Sequence, residues 1–214
     1  MACCSIPCAD TSRFFSQLTR LYRWRFRLFG IEKSQRQMIS GIEQTLIANA
    51  ELLEIGCGIG YLHQALLQAG AARATGIDLS ARMLAEAQRQ AEVSGLTGRT
   101  AYRQGDFVDL ADSVPMADIV ILDKVVCCYP EPERLLKLAL AGTRHVIALT
   151  YPRDRLFTRA GVALMTVLLR LVGSGFRPYV HNPAAIERWI SAGGFRRHSK
   201  ALTFEWTTDV YVRG

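Results

Sequence analysis

The sequence predicts an α/β fold: a doubly wound, seven-stranded, mostly parallel sheet with a C-terminal antiparallel hairpin and N-terminal helices. Three observations carry that expectation. Between residues 49 and 152 short apolar runs alternate with amphipathic stretches, the order that produces right-handed βαβ crossovers and a parallel sheet. The chain has 214 residues, long enough for one such domain with a full core and too short for two ordinary catalytic domains. Half of its residues are hydrophobic and 21% are charged, with no low-complexity tract, a composition that packs rather than stays disordered.

Each element has its own signal. From Asp10 to Gly30 the apolar residues Phe14, Phe15, Leu18, Leu21, Tyr22 and 24–26 recur at mostly helical spacing among arginines. Ser34 to Ala48 continues through Met38, Ile42, Leu46 and Ile47, with Ser34 as the expected cap. Strands follow at Glu51–Ile55, Ala74–Ile77, Thr100–Gln104, Ile119–Leu122 and Val146–Thr150. Helices are expected between them at Tyr61–Ala69, Ala81–Ser94 and Pro132–Ala141. After Pro152 an apolar helix covers Leu156–Val172, and Asn182 precedes another at Pro183–Ala192. Phe195–Phe204 and Trp206–Val212 read as two strands that close the sheet in antiparallel fashion. The expectation is a single domain over residues 1–214: a helical segment (1–48), a core (49–152), a helical lid (153–194) and a closing hairpin (195–214).

Lysine and arginine outnumber aspartate and glutamate by 26 to 19, a formal charge of +7, and the excess gathers in Arg13–Arg27 and Arg153–Arg177. A balance this moderate speaks to solubility and association more than to a particular partner. The helix bearing Tyr22, Trp24 and Phe26 could touch RNA or anionic lipid, or pack its aromatics over a ligand-binding mouth. Cys3, Cys4, Cys8, Cys57, Cys127 and Cys128 follow no signal-peptide pattern, so reduced thiols and a cytoplasmic location are expected. The longest uncharged apolar stretch, Ala160–Leu169, is ten residues, well short of the roughly 20 that span a bilayer.

Glu54-Ile55-Gly56-Cys57-Gly58-Ile59-Gly60 lies where the first strand turns into a helix. Glycines there permit a tight turn and let the backbone approach a ligand that side chains would exclude. A dinucleotide site would want G-x-G-x-x-G around a pyrophosphate at the helix N-terminus. Here the spacing is G-x-G-x-G, and Glu54 would repel a pyrophosphate. A carboxylate suits a ligand with a cationic centre and an ammonium group, as in S-adenosylmethionine. Asp78, with Leu79 after it, ends the second strand 18 residues beyond Gly60, where a carboxylate can accept hydrogen bonds from both ribose hydroxyls. Asp106 and Phe107 follow the third strand, suited to the adenine amino group and ring, and Asp123 follows the fourth. All fall on the carboxyl edge, where open α/β sheets bind ligands.

With these residues the chain resembles the class I, Rossmann-like S-adenosylmethionine-dependent methyltransferases, whose motifs match E-x-G-C-G-x-G, the acidic end of the second strand and the acidic residue after the third. The resemblance covers residues 49–152 and, by topology, the last hairpin. It implies Glu54, Gly56, Gly58, Gly60, Asp78, Leu79, Asp106, Phe107 and Asp123 as the cofactor set, with no metal.

The acceptor is less legible, because displacement at a sulfonium rests on alignment and needs no obligatory constellation. Leu122-Asp123-Lys124-Val125-Val126-Cys127-Cys128-Tyr129-Pro130 lacks both the Asn/Asp-Pro-Pro-Tyr arrangement of nucleobase and amide methylation and a Pro-Cys nucleophile. That disfavours nucleic acid. Residues 150–155 and 177–181 are similar to the magnesium-protoporphyrin methyltransferase branch, which implies a small, flat or lipophilic acceptor, such as a porphyrin or quinol, methylated on oxygen beneath an apolar lid. On that reading Arg153, Arg177, Cys127 and Cys128 contact the acceptor, and Tyr151 or His181 orients it or takes a proton. The alternatives are a non-catalytic cofactor-binding module docked on a membrane or partner, an RNA methyltransferase, or one acting on a thiol-bound metalloid. Adjacent cysteines on a strand would point to opposite faces and not chelate together. His63 and His145 are expected to be surface or packing residues.

Overall fold

A computed structural model of the chain describes residues 8–45 and 47–214. Cys3, Cys4, Leu46 and the side chain of Cys8 lie outside that description. Seven strands form one sheet: β1 (Glu51–Ile55), β2 (Arg73–Asp78), β3 (Thr100–Gln104), β4 (Ala117–Asp123), β5 (Thr143–Pro152), β6 (Phe195–Leu202) and β7 (Trp206–Arg213). Their spatial order is β3-β2-β1-β4-β5-β7-β6. The first five run parallel, and β7 is antiparallel to both β5 and β6. The chain reverses its direction of winding between β1 and β4, the switch point at which such sheets open a crevice.

Strand alternation sends side chains to two cores. Leu53, Ile55, Val120, Leu122, Ile147 and Leu149 meet Leu135, Leu136 and Ala139 of α6 (Pro132–Ala141) and Ile186 and Ile190 of α8 (Pro183–Ala192). Leu52, Ile119, Ile121, Val146 and Ala148 face the other way, onto Met38 and Ile42 of α2 (Lys33–Glu43), Leu62 and Leu66 of α3 (Tyr61–Gln68) and Ala91 of α4 (Ala81–Val93). Near-continuous apolar runs in β1, β4 and β5 follow from burial on both faces.

Helix entries show which residues cap. Ser80 precedes α4 and its hydroxyl accepts from the Met83 N–H at 3.2 Å, while Asn182 Oδ1 accepts from the Ala184 N–H at 2.9 Å before α8. Ser34 does not cap α2 as the sequence suggested. Glu32 holds that position, its N–H donating to Gln35 Oε1 at 3.3 Å, and Ser34 is buried one residue inside the helix. Glu32 and Gln35 bond each other's backbone N–H reciprocally as a capping box, and the Ser34 carbonyl faces Thr208 of β7. A short helix unmarked by periodicity, α5 (Phe107–Leu110), follows β3. Two longer elements flank the sheet: α1 (Cys8–Phe29) and α7 (Leu156–Leu171).

Candidate active site

The glycine turn closes between β1 and α3 with Gly56, Gly58 and Gly60 all at positive φ, 66°, 52° and 80°. Only glycine takes that region three times in five residues without strain. At Gly60 a Cβ would also meet Ala87 Cβ and Gln64 Nε2 at 2.9 Å, so the helix could not pack as it does against α4. Above the turn lies a cavity at the carboxyl edge, walled by Glu54, Gly56, Gly58, Gly60, Asp78, Leu79, Phe107, Asp123 and Cys128 among others. The sheet topology therefore brings eight of the nine expected cofactor residues together.

The ninth, Asp106, is not among the residues that wall the cavity. It caps α5, where Oδ1 accepts from the Val108 N–H at 3.0 Å and from the Tyr129 hydroxyl at 2.6 Å. The cap explains why Phe107 and Gly105, rather than the carboxylate, reach the cavity wall.

Three carboxylates are held by specific donors. Asp78 Oδ2 accepts from the Gly58 N–H at 2.9 Å and Oδ1 from the Ser80 N–H at 2.8 Å, which ties the second strand to the glycine turn. Glu54 Oε2 accepts from His63 Nδ1 at 2.5 Å and from the His63 N–H at 3.2 Å. Asp123 Oδ2 accepts from Gln35 Nε2 at 2.8 Å, and the Thr150 hydroxyl is a second side-chain donor near this carboxylate, whose Oδ1 is itself buried. Burial pushes all three pKa values up, against the opposing pull of His63 on Glu54, of the Ser80 and Gly58 amides on Asp78, and of Lys124 and Gln35 on Asp123. Carboxylates withdrawn from water at a cavity wall cost free energy unless a ligand supplies opposite charge or donors. The wall thus fits a ligand bearing positive charge and hydrogen-bond donors.

The first two helices complete the enclosure. Thr11, Phe15, Tyr22, Arg25 and Phe26 of α1 line the cavity, and Glu32 and Gln35 join from α2. Ser12 Oγ donates to the Leu79 carbonyl at 3.0 Å, and the Ser16 and Ser80 hydroxyls lie 2.7 Å apart. Phe26 stacks on Tyr61. Trp24 points outward instead and is exposed. Tyr22 has its hydroxyl pushed up to about 12, first by burial and then by the charges of Glu32, Cys128 and Asp123.

Most residues expected to meet the acceptor lie elsewhere. Tyr151 is buried in the core, its hydroxyl donating to Asp209 Oδ2 at 2.6 Å, because alternation along β5 turns it toward α8 and away from the cavity. His181 Nε2 donates to the Tyr129 carbonyl at 2.9 Å, and burial lowers its pKa against that bond. Arg153 Nη1 donates to the Thr203 carbonyl at 2.8 Å and its N–H to the Glu205 carbonyl, which binds it to the closing hairpin. Arg177 is exposed and lies over the Tyr179 ring. The cations in the cavity wall are Arg25 and Lys124, both paired with Glu32. Lys124 adopts φ 59° at the end of β4, a conformation a lysine takes only under constraint. Position on a single helix or strand could not show that pairing, since it joins α1, α2 and β4.

Cys127 and Cys128 correct the strand expectation. They sit in a one-turn 3₁₀ helix, Val126–Cys128, and both thiols donate to the Lys124 carbonyl, at 3.3 and 3.6 Å. They therefore point the same way, though only Cys128 lines the cavity. Among the described residues no group of three or more His, Cys, Asp or Glu is arranged to hold a metal ion.

Residues 52–145 match the family model for a methyltransferase domain. The chain is 30% identical to a ubiquinone biosynthesis O-methyltransferase from Leptothrix cholodnii over 183 residues, 81% of this chain and 77% of the relative. A protein of the same name from Methylococcus capsulatus is 33% identical over 157 residues, 70% of this chain; the match spans 65% of that relative's length. The fold is shared with the magnesium protoporphyrin IX methyltransferase of Synechocystis PCC 6803, solved with bound SAH, at TM-score 0.72 and 23% identity, over 96% of this chain and 99% of the other. With its glycine turn, sheet order and these relatives, the chain belongs to the class I, Rossmann-like S-adenosylmethionine-dependent methyltransferases.

Proposed function

We propose that this protein transfers a methyl group from S-adenosylmethionine to an oxygen of a small, flat or lipophilic acceptor. One observation carries the reading: three carboxylates, Glu54 buried and Asp78 and Asp123 partly buried, converge on a glycine turn at the switch point of the sheet. Glu54 and the turn hold the methionine end. Asp78, whose oxygens each keep a lone pair beyond the Gly58 and Ser80 amides, takes the ribose hydroxyls. Leu79 and Phe107 enclose the adenine, and Asp123 Oδ1 faces the cationic end. The cofactor supplies the electrophilic methyl group; the chain supplies alignment and a water-poor enclosure under α1. The names of the matched relatives support an oxygen acceptor, and Tyr22, Lys124 and Cys128 mark the acceptor side of the wall.

The exposed face of α7 supports a peripheral contact with a membrane surface. In α7, Leu164, Leu168 and Leu171 are 61%, 54% and 78% exposed, and arginines 155, 159 and 170 flank them. An apolar face rimmed by arginine suits shallow insertion beside anionic headgroups. Among the described residues no helix is long and apolar enough to cross a bilayer.

The test is turnover. Purified protein with S-adenosylmethionine and a panel of quinol, phenol, porphyrin carboxylate and thiol acceptors should form S-adenosylhomocysteine only with oxygen acceptors. Turnover with thiols alone, or binding without turnover on any acceptor, overturns the proposal.

A further inference from the structure

His63, nine residues beyond Glu54 and on the first turn of α3, has no exposed surface. Its Nδ1 is 2.5 Å from Glu54 Oε2, and its Nε2 is 3.1 Å from the Tyr102 hydroxyl on β3. Gln64 Nε2 donates both to that hydroxyl at 3.2 Å and to the Ala87 carbonyl at 3.0 Å. The Tyr102 hydroxyl is placed to donate to the same carbonyl at 3.2 Å.

Counting hydrogens assigns the roles. An ionised Glu54 only accepts, so Nδ1 carries a hydrogen. The two hydrogens of Gln64 Nε2 serve the Ala87 carbonyl and the Tyr102 oxygen, and the phenolic hydrogen lies within reach of both the Ala87 carbonyl and His63 Nε2. His63 Nδ1 is then the side-chain donor to Glu54, and its ring is fixed from the far side by Tyr102. Both His63 donors, Nδ1 and the backbone N–H, act on Oε2, so Oε1 is the oxygen presented to a ligand.

We propose that His63, backed by Tyr102 and Gln64, is a positioning residue that holds Glu54 ionised and in the one rotamer that offers Oε1 to the ammonium group of the methyl donor. This rests on Glu54 holding that ammonium. Without His63 the carboxylate would lose its side-chain donor while buried and repelled by Asp123; both effects already push its pKa up. It would take a proton, and its attraction for the ammonium would go with its charge.

The experiment compares two probes, S-adenosylhomocysteine and 5′-methylthioadenosine, which shares the adenosine and sulfur but lacks the amino-acid end. Calorimetric affinities are measured for the wild type, His63→Leu, His63→Asn, Tyr102→Phe and Glu54→Gln. His63→Leu should weaken S-adenosylhomocysteine by roughly tenfold or more, the scale of a hydrogen bond to a charged group, and leave 5′-methylthioadenosine unchanged. His63→Asn, which keeps an N–H near Nδ1, should recover most of the loss. Tyr102→Phe should show a smaller loss of the same selectivity. In His63→Leu the lost affinity should return as pH rises and Glu54 ionises. Equal losses for both probes, or none for either, overturn the inference. If Glu54→Gln weakens only S-adenosylhomocysteine while His63→Leu does not, the positioning role alone fails. If Glu54→Gln leaves both affinities intact, the underlying reading of Glu54 fails.

Discussion

Asp123 ends β4 with Oδ2 on Gln35, Thr150 as a second side-chain donor, and Oδ1 buried. Its folded pKa is raised by burial, so its contribution to stability is present below the ordinary carboxylate range and is lost as pH rises through the raised value. A cationic ligand favours the ionised form, and affinity for the methyl donor should therefore fall as pH drops through that same value. Asp123→Asn removes the charge at nearly constant volume. It should raise the melting temperature of the ligand-free protein by about 2–4 °C, the response to roughly 1 kcal/mol in a domain of this size, and weaken the methyl donor about tenfold with a flatter pH profile. Thermal scans and calorimetry across pH 5–8 check both. The opposite signs would show that Asp123 is ionised comfortably without ligand. Asp123 was legible as a strand-end acid in the sequence; its partners were not, because Gln35 lies 88 residues away.

Among the elements, α1 and α7 behave differently despite similar arginine-rich, apolar sequences. α1 lays Phe15, Tyr22 and Phe26 into the cavity wall and anchors itself through Ser12 and Ser16 to the end of β2. α7 contributes no buried residue. Helical periodicity in each sequence shows a face but not what covers it. For α7 the prediction is specific: Leu164→Glu with Leu168→Glu should abolish co-sedimentation with anionic vesicles and leave turnover of a water-soluble acceptor within about twofold, since surface changes away from a site cost little. Unchanged vesicle binding would show that α7 is not the contact. In the cavity wall the sequence pointed to arginines near α7, whereas Arg25 and Lys124 come from helix and strand ends that meet only through Glu32.

Across the whole molecule, the closing hairpin is locked by a buried polar cluster. Asp209 on β7 has no exposed surface; it accepts from Tyr151 of β5 and faces Arg197 of β6, which pairs with Glu187 of α8 at 2.8 Å. Breaking a hydrogen bond to a buried charge costs about 1.5–3 kcal/mol. Tyr151→Phe should thus lower the melting temperature by about 3–12 °C at 2–4 °C per kcal/mol while kcat at permissive temperature stays within about twofold. A collapse of kcat with an unchanged melting temperature would restore the catalytic role that the sequence assigned to this tyrosine.

What the sequence determined by itself was local or periodic: the βαβ order, the glycine turn, and the acids at strand ends, whose positions follow from chain direction alone in a parallel sheet. It also carried the preference for a cationic ligand, because a carboxylate at the turn decides the sign of the charge it welcomes. Tertiary structure decided which side chains face the cavity. Tyr151 and Thr150 are neighbours in β5 and both are buried; alternation gives Tyr151 to the core under α8, and the sequence holds no marker of which face α8 would cover. Tertiary structure likewise turned Asp106 into a helix cap, brought His63 onto Glu54 and gathered Arg25, Glu32 and Lys124 at one wall. The glycine turn needs only its own backbone. Those contacts join residues far apart in the chain, and they exist only once the sheet and its two helical layers have packed.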